Sequence, residues 1–458
     1  MNFRKDFFWG AASSAYQVEG AAFEDGKGPS VWDMFCRKGN TIWNAQNGDI
    51  ACDHYHRYKE DVALMKKIGL KAYRFSVSWP RILPEGSGAV NPKGLDFYDR
   101  LVDVLLKAGI TPFLTLFHWD YPYALYCRGG WLNPSSPDWF ADYARVLADK
   151  LSDRVRHWIT LNEPQCFIIA HQSGKHAPGD TLGWKETLRA GHHALLAHGK
   201  AVQAIRAAGR TKLMVGYAPV GIASLPASSR SADVRAARTA TFAVSARNLW
   251  NSSWWMDPVF LGHYPENGLK AYGVNAPRPR PGDMETIAQP LDFCGINVYH
   301  SDIVRAGRKG HPELAPTPLG HALTAFRWPV TPESLYWAPK FFYERYRKPI
   351  IITENGLSCT DWVALDGRVH DPARIDYMTR YLRAMKCAIR EGVDVRGYFA
   401  WSTMDNFEWA EGFKERFGLI YVDFPTQRRI LKDSAYWYRD VIATQGRALK
   451  KTYRKRQK

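Results

Sequence analysis

The apolar positions of this chain come in short unbroken runs rather than in strict alternation. Eight such runs, rich in β-branched residues, fall at 7–10, 72–76, 111–118, 157–162, 212–217, 292–299, 349–354 and 397–401. A strand that is apolar on both faces belongs to a parallel sheet covered on both sides. Between the runs, apolar residues recur at helical spacing over 55–68, 94–108, 136–151, 187–208 and 371–390. Gly69, Gly109, Gly209 and Gly392 stand at or just past four of these stretches, where glycine ends a helix. The alternation predicts an α/β protein, a single (β/α)8 TIM barrel, because no glycine fingerprint of an open dinucleotide-binding sheet follows the first run. The surplus length lies in long strand-to-helix insertions at 17–55, 218–290 and 300–348. The expected division is a barrel over 1–445 and a basic, disordered tail over 446–458.

Two runs end on a glutamate. One reads His157-Trp158-Ile159-Thr160-Leu161-Asn162-Glu163-Pro164, the other Pro349-Ile350-Ile351-Ile352-Thr353-Glu354-Asn355-Gly356. A carboxylate at the tip of a buried strand is costly unless its charge is used. A barrel would bring the two face to face, and paired carboxylates across a cleft are the means of glycosidic bond cleavage. Such chemistry needs one carboxyl to hold a proton and the other to stay ionised. Arg74 and Tyr299 are the candidates to hold Glu354 as a carboxylate.

The other strand ends agree. They carry Gln17 and Glu19, His118-Trp119-Asp120, Asn297 with Tyr299, and Trp401 followed by Asp405-Asn406-Phe407-Glu408-Trp409. Hydrogen-bonding and aromatic groups gathered at one rim suit a small carbohydrate. The 18 tryptophans fit both a large core and sugar-stacking surfaces.

Charge and cysteine content bound the alternatives. The net charge is +17, and seven of the positive residues lie between Arg447 and Lys458. A frayed, solvated tail accounts for them, and no interleaved aromatic–basic motif makes nucleic acid an expected partner. No apolar run reaches the length of a membrane span, and no secretory h-region follows Met1. The seven cysteines are scattered and form no C-x-x-C pair, so a cytoplasmic setting is expected. His192, His193 and His198 sit on one predicted helix outside the rim and read as packing residues; no metal and no cofactor is expected. Cys166, two residues after Pro164, has two readings, contact with the site or, the favoured one, a small buried packing residue. The oligomeric state is left open, a homo-oligomer included.

In these segments the chain resembles glycoside hydrolase family 1, the β-glucosidase family. The resemblance runs from Phe7 to about Arg439. It rests on Ser14-Ala15-Tyr16-Gln17-Val18-Glu19-Gly20, Tyr73-Arg74-Phe75-Ser76-Val77-Ser78-Trp79, Phe117-His118-Trp119-Asp120, Thr160-Leu161-Asn162-Glu163-Pro164, Ile352-Thr353-Glu354-Asn355-Gly356, Asp405 to Trp409 and Arg416-Phe417-Gly418-Leu419. It implies a retaining, exo-acting β-glycosidase that removes a terminal non-reducing β-D-glucosyl residue by double displacement. Glu163 would be the general acid/base and Glu354 the nucleophile, with carboxyls about 5–5.5 Å apart. It implies that Gln17, His118, Trp119, Asn162, Trp401, Glu408 and Trp409 line the subsite of the non-reducing sugar, with Trp328 as an aromatic platform at its entrance. Asn297, Tyr299 and Phe417 are further substrate contacts.

Branches of the family sharpen this. Enzymes for 6-phosphorylated sugars carry Ser, Lys and Tyr where this chain has Glu408, Glu415 and Phe417; two carboxylates would repel a phosphate. The thioglucosidase branch replaces the acid by Gln, whereas Glu163 is retained. β-Galactosidase or β-fucosidase as main activity, and transglycosylation in place of hydrolysis, are the alternatives. Departures are Tyr121-Pro122-Tyr123 in place of a Leu-Pro turn, Cys127 in place of a common Asp, and Tyr217-Ala218-Pro219 in place of an Asn-containing turn on the leaving-group side. The last leaves the aglycone open.

Overall fold

The structure, a computed structural model, describes residues 3–450, without the side chain of Lys450. Eight parallel strands close into a barrel in chain order: β1 (Phe8–Ala12), β2 (Ala72–Ser76), β3 (Thr111–Phe117), β4 (His157–Asn162), β5 (Met214–Ala218), β6 (Phe293–Asn297), β7 (Ile350–Asn355) and β8 (Val395–Trp401). β1 seals the ring by pairing with both β2 and β8. Each expected apolar run is one of these strands. Helices return along the outside, among them His54–Ile68, Pro92–Lys107, Ser136–Leu151, Trp184–Ala208 and Pro372–Arg390. Gly69 ends the first with φ 81°, a left-handed conformation open to glycine.

The insertions hold more structure than the sequence pattern shows. The stretch after β5 folds into several short helices, including Ser231–Phe242 and Ser253–Leu261, and the stretch before β7 ends in Ser334–Tyr346. Pro258 and Pro339 lie inside two of these helices and interrupt their periodicity. The expected tail starts too early. Leu449 is buried and its carbonyl accepts a bond from Arg383 Nε at 2.7 Å, so docked chain extends past Gly446. Residues 451–458 of that tail lie outside the described residues.

Two apolar layers explain why the strands read as continuous runs. Outward side chains such as Trp9, Leu114, Trp158 and Ile352 pack under the helices. Inward ones, Ala12, Ala72, Phe113, Ile159, Ala218, Phe293, Ile351 and Phe399, fill the barrel. Gly10 makes room for this filling: a Cβ there would lie 2.5 Å from the Phe399 ring. The interior beneath the carboxyl ends of the strands is therefore packed solid.

The segment after β8 is held by buried charge. Asp405 accepts from Lys432 Nζ at 2.6 Å, from Gly418 N at 2.9 Å and from Arg416 Nη1 at 2.7 Å. Lys432, itself fully buried, also reaches Asp361 at 2.6 Å. Replacing Lys432 with Met leaves Asp361 and Asp405 buried without their shared cation. The expected loss is about 3–5 kcal/mol of unfolding free energy, read by chemical denaturation; a loss under about 1 kcal/mol would refute the anchoring role.

Candidate active site

Glu163 follows β4 directly and caps the helix Pro164–Ser173, with φ 48° and ψ 69°. Proline at the first helical position suits that start. The Glu163 side chain makes no capping bond to the helix, so its carboxyl is turned elsewhere. Glu354 lies within β7, where the pairing register shifts between Ile352 and Glu354 against β6 and between Ile352 and Asn355 against β8. Such irregularities re-aim side chains at the end of a strand. Both carboxyls line one cavity of about 630 Å³ at the carboxyl-terminal rim of the barrel.

Their surroundings differ. Arg74 Nη1 donates to Glu354 Oε1 at 2.5 Å, and Tyr299 OH donates to Oε2 at 2.6 Å. Arg74 is fixed in turn by bonds to Thr115 Oγ1, the Thr353 carbonyl and Asn162 Oδ1. The Tyr299 carbonyl accepts from the hydroxyls of Tyr377 and Tyr381. Among the described residues Glu163 has no cation at hydrogen-bond distance. Its Oε1 accepts from Asn297 Nδ2 at 2.8 Å and its Oε2 from the Cys166 thiol at 3.2 Å. Burial, then the charge of Glu354, pushes the Glu163 carboxyl up to about 7. Burial raises Glu354 too, opposed by the Arg74 cation and the Tyr299 and Arg74 donors. Of the pair, Glu163 is the one placed to keep a proton near neutral pH.

Asn297 joins the two sides. Its amide donates to Glu163 and to Asn162 Oδ1, and its Oδ1 accepts from Thr353 Oγ1 at 2.6 Å. Around the cavity stand His118, Trp119, Tyr299, Trp328, Trp401, Glu408, Trp409 and Phe417. The rings form two groups: His118 stacks on Trp401 at 5.8 Å and Trp119 meets Trp409 at 4.5 Å, while Tyr299 meets Trp328 at 5.0 Å. Burial and the charges of Glu354, Glu415 and Glu163 push Glu408 well above the usual carboxylate range.

Gln17 and Asn162, expected at the sugar subsite, are bonded to the groups around the cavity. Gln17 is fully buried behind Glu408, donating from Nε2 to Glu408 Oε2, Asn406 Oδ1 and the Phe407 carbonyl. Asn162 is spent on Arg74, Asn297 and His118. Both position the groups that face the cavity. Glu19 also turns away, paired with Arg81 at 2.9 Å and accepting from Tyr98. Cys166 follows the less favoured of its two readings: it lines the cavity and donates to Glu163, rather than merely filling the core. The helix position three after Glu163 was the available signal. Among the expected packing histidines, His198 Nδ1 bonds Thr160 Oγ1 and His193 Nδ1 bonds the Trp131 carbonyl.

A family model described as Glycosyl hydrolase family 1 matches residues 1–447. The chain belongs to glycosyl hydrolase family 1. Within the family it is 44% identical over 451 residues to Beta-glucosidase A of Thermotoga maritima, covering 97% of this chain and 98% of that protein. It is also 44% identical over 453 residues to a 1,4-beta-D-glucan glucohydrolase of Thermotoga neapolitana, covering 97% and 99%. A solved structure of the T. maritima β-glucosidase in complex with glucoimidazole superposes with a TM-score of 0.89, covering 97% of this chain and 99% of that one. This family 1 chain is thus a glycoside hydrolase on a (β/α)8 barrel. Among the described residues no helix is long and apolar enough to cross a membrane.

Proposed function

We propose that this family 1 enzyme is a retaining, exo-acting β-glucosidase. The observation that carries the reading is the asymmetry of the two carboxyls across one cavity. Glu354, clamped by Arg74 and Tyr299, attacks the anomeric carbon as a carboxylate. Glu163 gives its proton to the glycosidic oxygen, the bond to the leaving alcohol breaks, and a covalent glucosyl ester remains on Glu354. The ionised Glu163 then takes a proton from water, whose oxygen attacks the same carbon and frees Glu354. Two inversions return the β-configured sugar. Glu408 and the ring wall offer acceptors and stacking faces to the sugar, with Gln17 steadying Glu408 from behind. Among the described residues the cavity lining contains no lysine or arginine, which supports an unphosphorylated sugar. All seven cysteines stand as free thiols, in keeping with a reducing, cytoplasmic setting.

The test is a panel of aryl β-glycosides, gluco, galacto, fuco, xylo and 6-phospho-gluco, with proton NMR of the first-formed anomer. Best turnover of the glucoside with release of β-glucose is expected. Activity confined to the phosphorylated member, or release of the α-anomer, would overturn the reading.

The Cys166 bond predicts a pH effect. A donor to the ionised carboxyl lowers its pKa, so Cys166→Val raises that of Glu163. The basic limb of kcat/KM is then expected to move up by roughly 0.5 pH, while Cys166→Ser leaves it in place. An unmoved limb in the valine variant would show that the thiol does not tune the acid.

A further inference from the structure

Tyr299 reaches Glu354 from chain that has already left the barrel. Its hydroxyl donates to Glu354 Oε2 at 2.6 Å, while its backbone belongs to the segment 298–301 that follows β6. Val298 N still donates to the Glu354 carbonyl at 2.9 Å. At the next residue, side chains take over the bonding of the backbone.

Those side chains come from three places. Asn355, next to Glu354 in β7, donates from Nδ2 to the Val298 carbonyl at 2.7 Å, and its Oδ1 accepts from Tyr398 OH at 2.9 Å. Thr331 Oγ1 accepts from Ser301 N at 3.0 Å. Between these two ties, Tyr377 and Tyr381 of the helix Pro372–Arg390 both donate to the Tyr299 carbonyl, at 2.9 and 3.0 Å. The two tyrosines are buried, stand one helical turn apart, and stack with ring centroids 3.8 Å apart.

Their protons have only one place to go. Tyr377 OH accepts from Asn355 Nδ2 at 3.2 Å, and Tyr381 OH accepts from Thr331 N at 2.8 Å. With an N–H pointed at its oxygen, each hydroxyl gives its single proton to the Tyr299 carbonyl. One bond satisfies a buried carbonyl, yet both lone pairs of this one are filled. The second bond therefore restrains direction, and the residue it restrains is the one whose phenol touches Glu354. Trp328 and Phe417 flank the Tyr299 ring, which leaves the reach of its hydroxyl to the backbone beneath.

We propose that Tyr377 and Tyr381 are positioning residues for the nucleophile: by gripping the Tyr299 carbonyl they hold the Tyr299 hydroxyl on Glu354. This rests on Glu354 as the nucleophile and deepens that reading. Burial raises the Glu354 carboxyl, and Arg74 and the Tyr299 hydroxyl oppose it. A loosened Tyr299 weakens the opposition, so the acidic limb of kcat/KM, set by Glu354, moves to higher pH. The other charged groups facing Glu354 are Arg74 from β2, Glu163 after β4 and Glu408 after β8. The tyrosines bond to Tyr299, Asn355 and Thr331 instead, so the basic limb, set by Glu163, stays in place.

The test is kcat/KM against pH, on whichever aryl β-glycoside is turned over best, for Tyr377→Phe, Tyr381→Phe and the double variant, each with and without Tyr299→Phe. Tyr377→Phe is the gentlest change, since Asn355 Nδ2 keeps the Val298 carbonyl; a loss of about 3–10-fold is expected. The double variant is expected to lose about 10–100-fold and to shift its acidic limb up by about 0.5–1 pH, with the basic limb unmoved. In the Tyr299→Phe background the same two changes are expected to cost less than about threefold, because the hydroxyl they place is gone. Denaturation midpoints verify that each variant is folded; where the double variant is not, Tyr377→Phe decides in its place. An equal loss with and without the Tyr299 hydroxyl would overturn the proposal, and so would a folded variant with native kcat/KM and an unmoved acidic limb. Glu354→Gln separates the premise: an active protein removes the nucleophile and this proposal with it, whereas an inactive one beside unaffected tyrosine variants removes the proposal alone.

Discussion

Glu354→Gln is expected to cut kcat on a nitrophenyl β-glucoside by roughly 10⁴-fold or more. The amide has nearly the shape of the carboxylate but no charge to form the glucosyl ester, and the leaving group needs no protonation that could mask the defect. The fold should survive. Arg74 keeps its bonds to Thr115, Thr353 and Asn162, and the Gln amide oxygen still accepts from it. A folded variant, verified by circular dichroism, with activity within about 100-fold of the native enzyme would remove Glu354 from the role of nucleophile.

Glu163→Gln is expected to act differently on different substrates. With an alkyl β-glucoside, whose leaving oxygen must be protonated, the fall should approach about 10³–10⁴-fold. With a dinitrophenyl β-glucoside, whose leaving group departs as an anion, the first step should change little. Breakdown of the glucosyl ester, now lacking its base, becomes limiting, so a burst followed by slow turnover is the expected trace. Azide, an anionic nucleophile that needs no base, should restore turnover and yield β-glucosyl azide. The basic limb of the pH profile, set by the carboxyl pushed up to about 7, should vanish. The same fold loss on both substrates with no azide rescue would assign the proton transfer to another group.

The barrel and the two glutamates at its rim were legible in the sequence for one physical reason. Strands buried on both faces read as unbroken apolar runs, and a charge at the end of such a run stands out against its background. Glu163, Glu354, His118 and Trp401 were visible on that account. The insertions were not, because Pro258 and Pro339 break the periodicity of their helices and because some of their apolar residues, such as Val220 and Ile222, line the cavity. Nor could spacing tell which polar groups touch the cavity. Gln17, Asn162 and Glu19 sit on the same rim as Glu408, but the pairings that turn them inward, with Asn406, Arg74 and Arg81, come from segments remote in sequence. Cys166 shows the converse: a thiol reads as filler until the neighbour it donates to is seen.

The solid filling of the barrel beneath the two glutamates has a kinetic meaning. Ala72, Phe113, Ile159, Phe293, Ile351 and Phe399 pack against one another beneath the glutamates, so traffic in and out shares the mouth built by the insertions. The sugar occupies the blind end, and the alcohol stands between it and solvent. Departure is therefore ordered: the alcohol first, glucose last. While the alcohol stays it stands in the way of water, and an alcohol that lingers in the mouth can be glucosylated again. Glucose should then inhibit competitively, whereas added benzyl alcohol should divert the ester toward benzyl glucoside and raise total turnover wherever the second step is slow.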